Sequence, residues 1–401
     1  MSAPASIALD EGRFYADRAG ANAAFRWLRQ EAPVWWFEPR AFWVVSRLED
    51  VQRMSKQPEL WSSSAGITMP QGPGRVEPGV GADPAPSIIQ MDPPSHNRHR
   101  SLVSRAFTPR RVSDMEARMR EIAIESIENA PCGTPIDFVE HIAVSLPMRV
   151  IAEMLGVPNE DLDDFRRWSD AVVVQAGADA DRTVGSQAVG EVFLYFSKML
   201  EQRRSQPGDD LITALLQAEL EGRSLEESEI LIFCMTLLVA GNETTRSLVA
   251  QGTRLLLENG DQLARLRSGE VALPDAVEEM LRLTTPIRYF FRGAVRDIEL
   301  HGRTIKAGDP VMMLYAAANR DEMVWGETAD DLDLGRPLEP HVSLGFGQHF
   351  CLGASLARLE ARILFEELLA RRSHWELAGD IELVDSSFVN GIEHMPVVLR
   401  A

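Results

Sequence analysis

The sequence predicts a mainly α-helical protein with a smaller β part, folded as a single large domain over residues 1–401. Three observations carry that expectation. Apolar residues recur with a helical period through most of the chain up to about residue 285. Beyond it, "IRYFFRGAVRDIEL" and "VMMLYAAANR" read as extended segments, with "HGRTIKAGD" supplying turns between strands. Finally, 45% of the residues are hydrophobic, ample for a large buried core.

Taken in order, "NAAFRWLRQEAP" (22–33) has a helical period and stops at Pro33, and "FWVVSRLEDVQRMSK" starts as a strand and turns into a helix. Residues 62–90 are rich in Gly and Pro. A long loop inside a compact chain is often a binding loop, so this one is read as a mobile substrate-covering loop rather than a plain linker. "DPPSHNRHRSLVSRAFTPRRV" opens a helix, with Pro93 and Pro94 suited to its first turn. Helices follow at roughly 113–130, 138–155, 159–175, 186–205 and 208–222, and then a long continuous one at 225–257. At 1.5 Å per residue that last helix is ~50 Å long, enough to cross a whole domain. "LGASLARLEARILFEELL" (352–369) is helical, and short strands close the chain at 381–400.

Composition excludes several classes. A net charge of −19 repels duplex nucleic acid. The three cysteines, Cys132, Cys234 and Cys351, match no zinc spacing and are odd in number, which favours a reducing cytosol over a disulfide scaffold. The N-terminus lacks a basic segment leading into an apolar one. The longest apolar run, 230–241, falls short of the ~20 residues a bilayer requires. A cytoplasmic protein without a membrane anchor is expected.

The stretch "GFGQHFCLGAS" (345–355) asks why one of three cysteines sits among glycines just before a helix. Unpaired N–H groups and the positive end of the helix dipole favour a thiolate there. Such a thiolate is a nucleophile or a metal ligand, and the bland alternative is a buried structural cysteine in a Gly-rich turn. Glycines at 345, 347 and 353 let backbone approach something flat and large, a need that thiolate-ligated haem shares.

The loop resembles the haem-binding loop of the cytochrome P-450 monooxygenases, Phe-Gly-x-Gly-x-His-x-Cys-x-Gly. The match is Gly345, Gly347, His349, Cys351 and Gly353; the pattern's leading Phe is Leu344 here, which alters the sulfur's surroundings. The resemblance implies a cytochrome P-450 fold with the long helix lying over haem b. Cys351 is then the axial ligand of the haem iron, and 344–369 forms the haem-cysteine loop and its following helix.

Other motifs extend it. "AGNETT" (240–245) places Glu243 and Thr244 side by side mid-helix, where a buried charge is expensive. Thr244 bonding back to the i−4 carbonyl and Gly241 as a packing notch would be a purely structural account. The stretch is similar to the family's Ala-Gly-x-Asp/Glu-Thr-Thr oxygen-binding motif, which implies a carboxylate relaying protons and a hydroxyl guiding them in a dry site. Glu279 and Arg282, three apart on a helix, would ordinarily be a solvated pair. By resemblance they match the Glu-x-x-Arg pair, with Arg336 of "DLDLGRP" as third member of a scaffold behind the haem loop. His96, Arg100, Arg292 and His349 match positions that bind the two haem propionates. "ANRD" (318–321) and the order of the motifs extend the likeness over nearly the whole chain.

Carried over in the same way, the substrate pocket draws on the 62–90 loop, residues near 170–180, and Val239, Ala240, Thr285, Ile287 and Val389. These are small or apolar, so a hydrophobic substrate of the steroid, terpenoid or fatty acyl class is expected, oxidised by O2. With no flavin or iron–sulfur segment in view, electrons are expected from a separate ferredoxin and reductase. Residues 96–111 carry five arginines and no acid, and Arg98 and Arg105, seven apart and read as one helix face, are the candidate ferredoxin dock. Two other function classes stand beside the monooxygenase. A haem sensor would need no proton relay, and a cysteine-nucleophile hydrolase would need a base that His349 is poorly placed to provide.

Overall fold

The structure is a computed structural model and describes residues 7–70, 87–175, 182–220 and 222–401. Its axis is the 32-residue helix Glu227–Glu258. Glu226 and Glu229 form a reciprocal capping box at its start, so the first orphan N–H groups are satisfied by two carboxylates that also suit the positive helix end. Five helices pack around it: Ser145–Leu155, Leu162–Gln175, Arg182–Ser205, Leu273–Thr284 and Ala354–Arg371. Glycine allows the closest of these approaches. A Cβ at Gly241 would lie 2.5 Å from Ile151 Cδ1, so Gly241 is a packing notch.

A five-stranded sheet stands beside the helices in the order Val34–Phe37, Phe42–Val45, Pro310–Met313, Phe290–Ala294, Trp61–Ser62. Its pairings are antiparallel except that Pro310–Met313 runs parallel to Phe42–Val45. Both faces are covered, and the period of two sorts the side chains. Val311 and Met313 join a cluster with Val34 and Val45, while Met312 and Leu314 join one with Phe42, Val44 and Phe291. A three-stranded sheet, His374–Leu377, Pro396–Arg400 and Pro135–Asp137, closes the C-terminal side.

Several boundaries differ from the sequence reading. In "VMMLYAAANR" only the first half is strand; Tyr315–Ala318 is a helical turn, wholly buried, because three alanines in a row cost little in a helix. The helix expected at 208–222 is only Leu211–Leu216, started by the Asp210 side chain accepting from Thr213 N at 2.8 Å. Strands Glu219–Leu220 and Arg223–Ser224 follow, with Gly222 at φ +79° in their turn. Pro94 sits at the N-cap of helix Ser95–Val103 rather than inside its first turn. Among the described residues, no helix is long and apolar enough to cross a membrane.

Candidate functional site

The cysteine loop is held by backbone. Cys351 N donates to Leu344 O at 2.7 Å, and Gly345 N to Val342 O at 2.9 Å. Gly345 and Gly347 take φ of +71° and +66°, and a Cβ at 347 would sit 2.2 Å from Ser55 O. Those two positions therefore require glycine. Gly353 does not on backbone grounds: its φ is −86°, and the nearest atom to an added Cβ is the Cys351 sulfur at 4.0 Å. Leu344 packs against the main core, so the departure from the family pattern keeps both an apolar contact and the carbonyl that Cys351 uses. The expectation of a lowered thiol needs correction. Burial pushes the Cys351 thiol up, and the Gly353 N–H with the charges of Arg100 and Arg358 only partly offsets it. Among the described residues no three His, Cys, Asp or Glu side chains cluster to hold a bare metal ion.

Around the loop converge the four expected cationic groups. The His96 and His349 rings lie 4.2 Å apart, His349 Nε2 is 3.1 Å from Ser63 Oγ, and Arg100 donates to Phe350 O at 2.6 Å. Arg292, buried, donates to the carbonyl of Phe291 at 2.6 Å. All four are pushed down from their ordinary values, by burial first. His349 falls furthest, to about 2, because Arg292, His96 and Arg100 add their positive charge. Asp92 is the one carboxylate felt by His96 and Arg292, and it is engaged by Ser62, Ser63 N and Ser64 N. The two imidazoles, held below their ordinary range, are neutral polar groups, and beside them the guanidiniums of Arg100 and Arg292 suit an anion. The two carboxylates of a protoporphyrin fit there.

The middle of the long helix carries the second motif. Its flanks are buried, yet Ala240 is exposed and Val239, Gly241 and Thr244 are half-buried, so the helix centre borders open space. Thr244 donates to Ala240 O at 2.7 Å, the back-bonded arrangement of the structural account, with its oxygen still able to accept. Glu243 is buried and pushed up to about 7 by that burial, against the pull of Arg246. It is ion-paired to Arg246, which reaches Asp170 at 2.9 Å nearer the surface, and it accepts from Ser247 at 3.3 Å. Sequence reasoning missed Asp170 and Arg246. Arg246 is three residues from Glu243, a spacing that could have signalled it; Asp170 comes from another helix.

Glu279, Arg282 and Arg336 are brought together. Arg282 grips Glu279 with two bonds of 2.7 Å, and Arg336 Nε reaches Glu279 Oε1 at 3.1 Å. The side chains of Glu279 and Arg282 are only 4% and 2% exposed, so the solvated-pair alternative does not hold. The remaining guanidinium donors meet the carbonyls of Asn319, Ala329, Trp325 and Thr328.

The pocket candidates divide. Val239, Ala240 and Ile287 retain exposure, and Val389 is buried in a bridge with Ile287. Thr285 turns inward: at φ +40° it donates to Arg282 O at 2.7 Å and accepts from Asn319 at 2.9 Å. Most of the expected substrate-covering loop, 71–86, lies outside the described residues, as do 176–181. The α-helix bearing Arg98 ends at Val103, and Arg105 lies in the 3₁₀ turn Ser104–Phe107. The seven-residue spacing thus does not set the two on one α-helical face. Arg358, unforeseen, pairs with Glu278 beside the cysteine.

A buried cationic cradle, a glycine-framed thiol and an open helix centre define a thiolate-ligated haem protein. The family profile described as Cytochrome P-450 matches residues 272–389. A steroid C26-monooxygenase of Mycobacterium tuberculosis is 37% identical over 407 residues, covering 99% of this chain and 98% of its own length. A vitamin D(3) 25-hydroxylase of Pseudonocardia autotrophica is 40% identical over 362 residues, covering 89% and 88%. Among solved structures, a Bacillus megaterium cytochrome P-450 in complex with testosterone superposes with a TM-score of 0.83 at 33% identity, over 94% of this chain and 99% of that one. The chain belongs to the cytochrome P-450 family, whose members are haem-binding oxidoreductases acting with O2 on hydrophobic substrates.

Proposed function

We propose that this protein is a haem-thiolate monooxygenase that places one oxygen atom of O2 into a steroid-class substrate, with terpenoid and fatty acyl chains as the neighbouring alternatives. The observation that carries the reading is the cradle beside Cys351, where Arg100, Arg292, His96 and His349 converge, all four pushed down by burial and the two histidines also by the arginine charges. The steroid preference rests on relatives that bear steroid and vitamin D names and on a testosterone-bound neighbour.

Bound haem supplies activation of dioxygen at its iron. The chain supplies the rest. Cys351 would supply the sulfur that holds the iron, and His96, Arg100, Arg292 and His349 would hold the propionates. Glu243, pushed up to about 7 by burial, holds a proton it can pass on, with its carboxyl group fixed by Arg246 and Ser247 and with Arg246 anchored to Asp170 nearer the surface. The Thr244 hydroxyl accepts at the open helix centre and guides the proton onward. Val239, Ala240 and Ile287, with Val389 behind Ile287, line an apolar wall that excludes water. Glu279, Arg282 and Arg336 brace the haem loop.

Electrons come from a separate ferredoxin and reductase in the cytoplasm, the ferredoxin docking on the arginine-rich stretch at Arg98 and Arg105. An acidic carrier is steered to a local cationic patch on a protein of net charge −19. The haem-loaded protein with a steroid panel provides the test. A substrate-induced spin-state change, followed by hydroxylated product with ferredoxin, reductase, NAD(P)H and O2, is expected. Spectral silence to every steroid, with a response to linear acyl chains, would move the substrate class.

A further inference from the structure

The reaction described above gives Arg358 no task, yet its place is closely specified. It sits on helix Ala354–Arg371, which begins three residues after Cys351. The Gly353 N–H is turned to the Cys351 sulfur, and Ala354 N donates to Cys351 O at 3.3 Å, so the sulfur and the helix start are joined. Arg358 lies four residues into that helix, about 6 Å further along its axis at 1.5 Å per residue. Arg358 and Cys351 each feel the other's charge.

The guanidinium is fixed from helix Leu273–Thr284. Arg358 Nε and Nη2 both donate to Glu278, Nη2 to Oε2 at 2.8 Å, a fork that sets the plane of the group. Glu278 is fixed in turn. Ser343 N donates to His341 Nδ1 at 3.2 Å, so Nε2 carries the ring hydrogen and donates it to Glu278 Oε2 at 3.3 Å. The side chains of His341 and Glu278 are only 6% and 21% exposed. Burial pushes the Glu278 carboxyl up, but Arg358 and His341 outweigh it and hold it at about 2. The carboxylate is therefore charged across the neutral range. The charges that reach Cys351 include Arg100 and Arg358 but not Glu278, so the positive end of the pair is the one the sulfur feels.

An iron that accepts one electron gains one negative charge. A fixed positive charge beside its ligand favours the reduced state, and a negative one opposes it. We propose that Arg358 and Glu278 set the reduction potential of the iron held at Cys351: Arg358 favours the ferrous state, Glu278 tempers that charge, and His341 holds Glu278 in place. The step concerned is the transfer of one electron from the ferredoxin to ferric iron, with no bond made or broken and no proton moved. The inference rests on haem binding at Cys351, as proposed above.

The test is a spectroelectrochemical titration of the haem-loaded full chain, with the reduced, CO-bound band recorded for each protein. Arg358→Gln removes the positive charge and should lower the potential. The ratio of reduced to oxidised iron at a fixed poise should fall about threefold, roughly 30 mV at 59 mV per tenfold for one electron. Glu278→Gln unmasks Arg358 and should raise the ratio by a similar factor. Arg358→Lys keeps the charge without the fork and should stay close to the wild type. A pair that merely staples two helices would, when loosened, shift both Gln variants the same way. Shifts of one sign, a potential that either Gln variant leaves unmoved, or an Arg358→Lys shift as large as that of Arg358→Gln would overturn the proposal. Loss of the red-shifted band in a Gln variant would make the pair part of the loop's frame and also end it. A wild-type protein without that band would overturn the haem reading, and this inference with it.

Discussion

Two buried clusters of charge lie near the cysteine loop, and they are built differently. Glu279, Arg282 and Arg336 are complete: one carboxylate faces two guanidiniums, and backbone carbonyls take up the other donors. His96, Arg100, Arg292 and His349 are incomplete: two guanidiniums and two imidazoles, all pushed down from their ordinary values by burial, with no carboxylate ion-paired to either arginine among the described residues. A cluster that satisfies itself is part of the frame. A cluster whose cations lack a counter-charge is kept because something else completes it.

The largest expected effect falls on the ligand between them. Cys351→Ala should abolish turnover and the red-shifted band of the reduced, CO-bound protein, since it removes the thiol framed by Gly345 and Gly347. A variant that kept that band would remove Cys351 from the site.

The comparison itself is broken or kept by a pair of variants. Glu279→Gln leaves Arg282 and Arg336 buried without a counter-charge and should cost about 3–5 kcal/mol in urea unfolding. Arg292→Gln removes a buried charge that lacks a carboxylate partner among the described residues. The haem-free protein should be as stable as before or more so, while haem passes to apomyoglobin faster. Comparable destabilisation of both haem-free variants would erase the distinction between frame and cradle.

A smaller, several-fold effect is expected from Thr244→Ala, which should raise peroxide and lower product per NAD(P)H without emptying the haem site. Unchanged coupling would reduce Thr244 to its bond with Ala240.

The smallest effect concerns a third arrangement, a buried carboxyl with no cation paired to it among the described residues. Glu360 lies against Thr245 and is pushed up to about 8 by burial. A carboxyl raised on folding holds a proton that the unfolded chain has released. Its contribution is therefore fully present below the ordinary value of 4.5 and is lost as pH rises through about 8. Glu360→Gln should flatten the fall of Tm over that window in calorimetry, and an unchanged slope would assign the fall to other groups.

Much of this was legible in the chain because it is local. Gly345 and Gly347 signal left-handed backbone next to Cys351, and the long apolar period signals the central helix, found at Glu227–Glu258 against an expected 225–257. Glu279 and Arg282 could be paired by their spacing, but not buried by it. Asp170 could not be joined to Glu243, because Arg246 bridges two helices whose packing no local pattern encodes. Thr285 was misassigned to the pocket because only its partners, Arg282 O and Asn319, reveal which way it turns.

By itself, then, the sequence determined the glycine-shaped loop that frames Cys351, the long central helix and the identity of the groups that carry charge. These follow from φ preference, periodicity and residue chemistry, which act within a few positions. The tertiary structure decided the surroundings of those groups: burial pushes Cys351 and Glu243 up and drives His349 down to about 2. Desolvation and the charges of distant residues set those values, and both exist only once the chain has brought separate segments together.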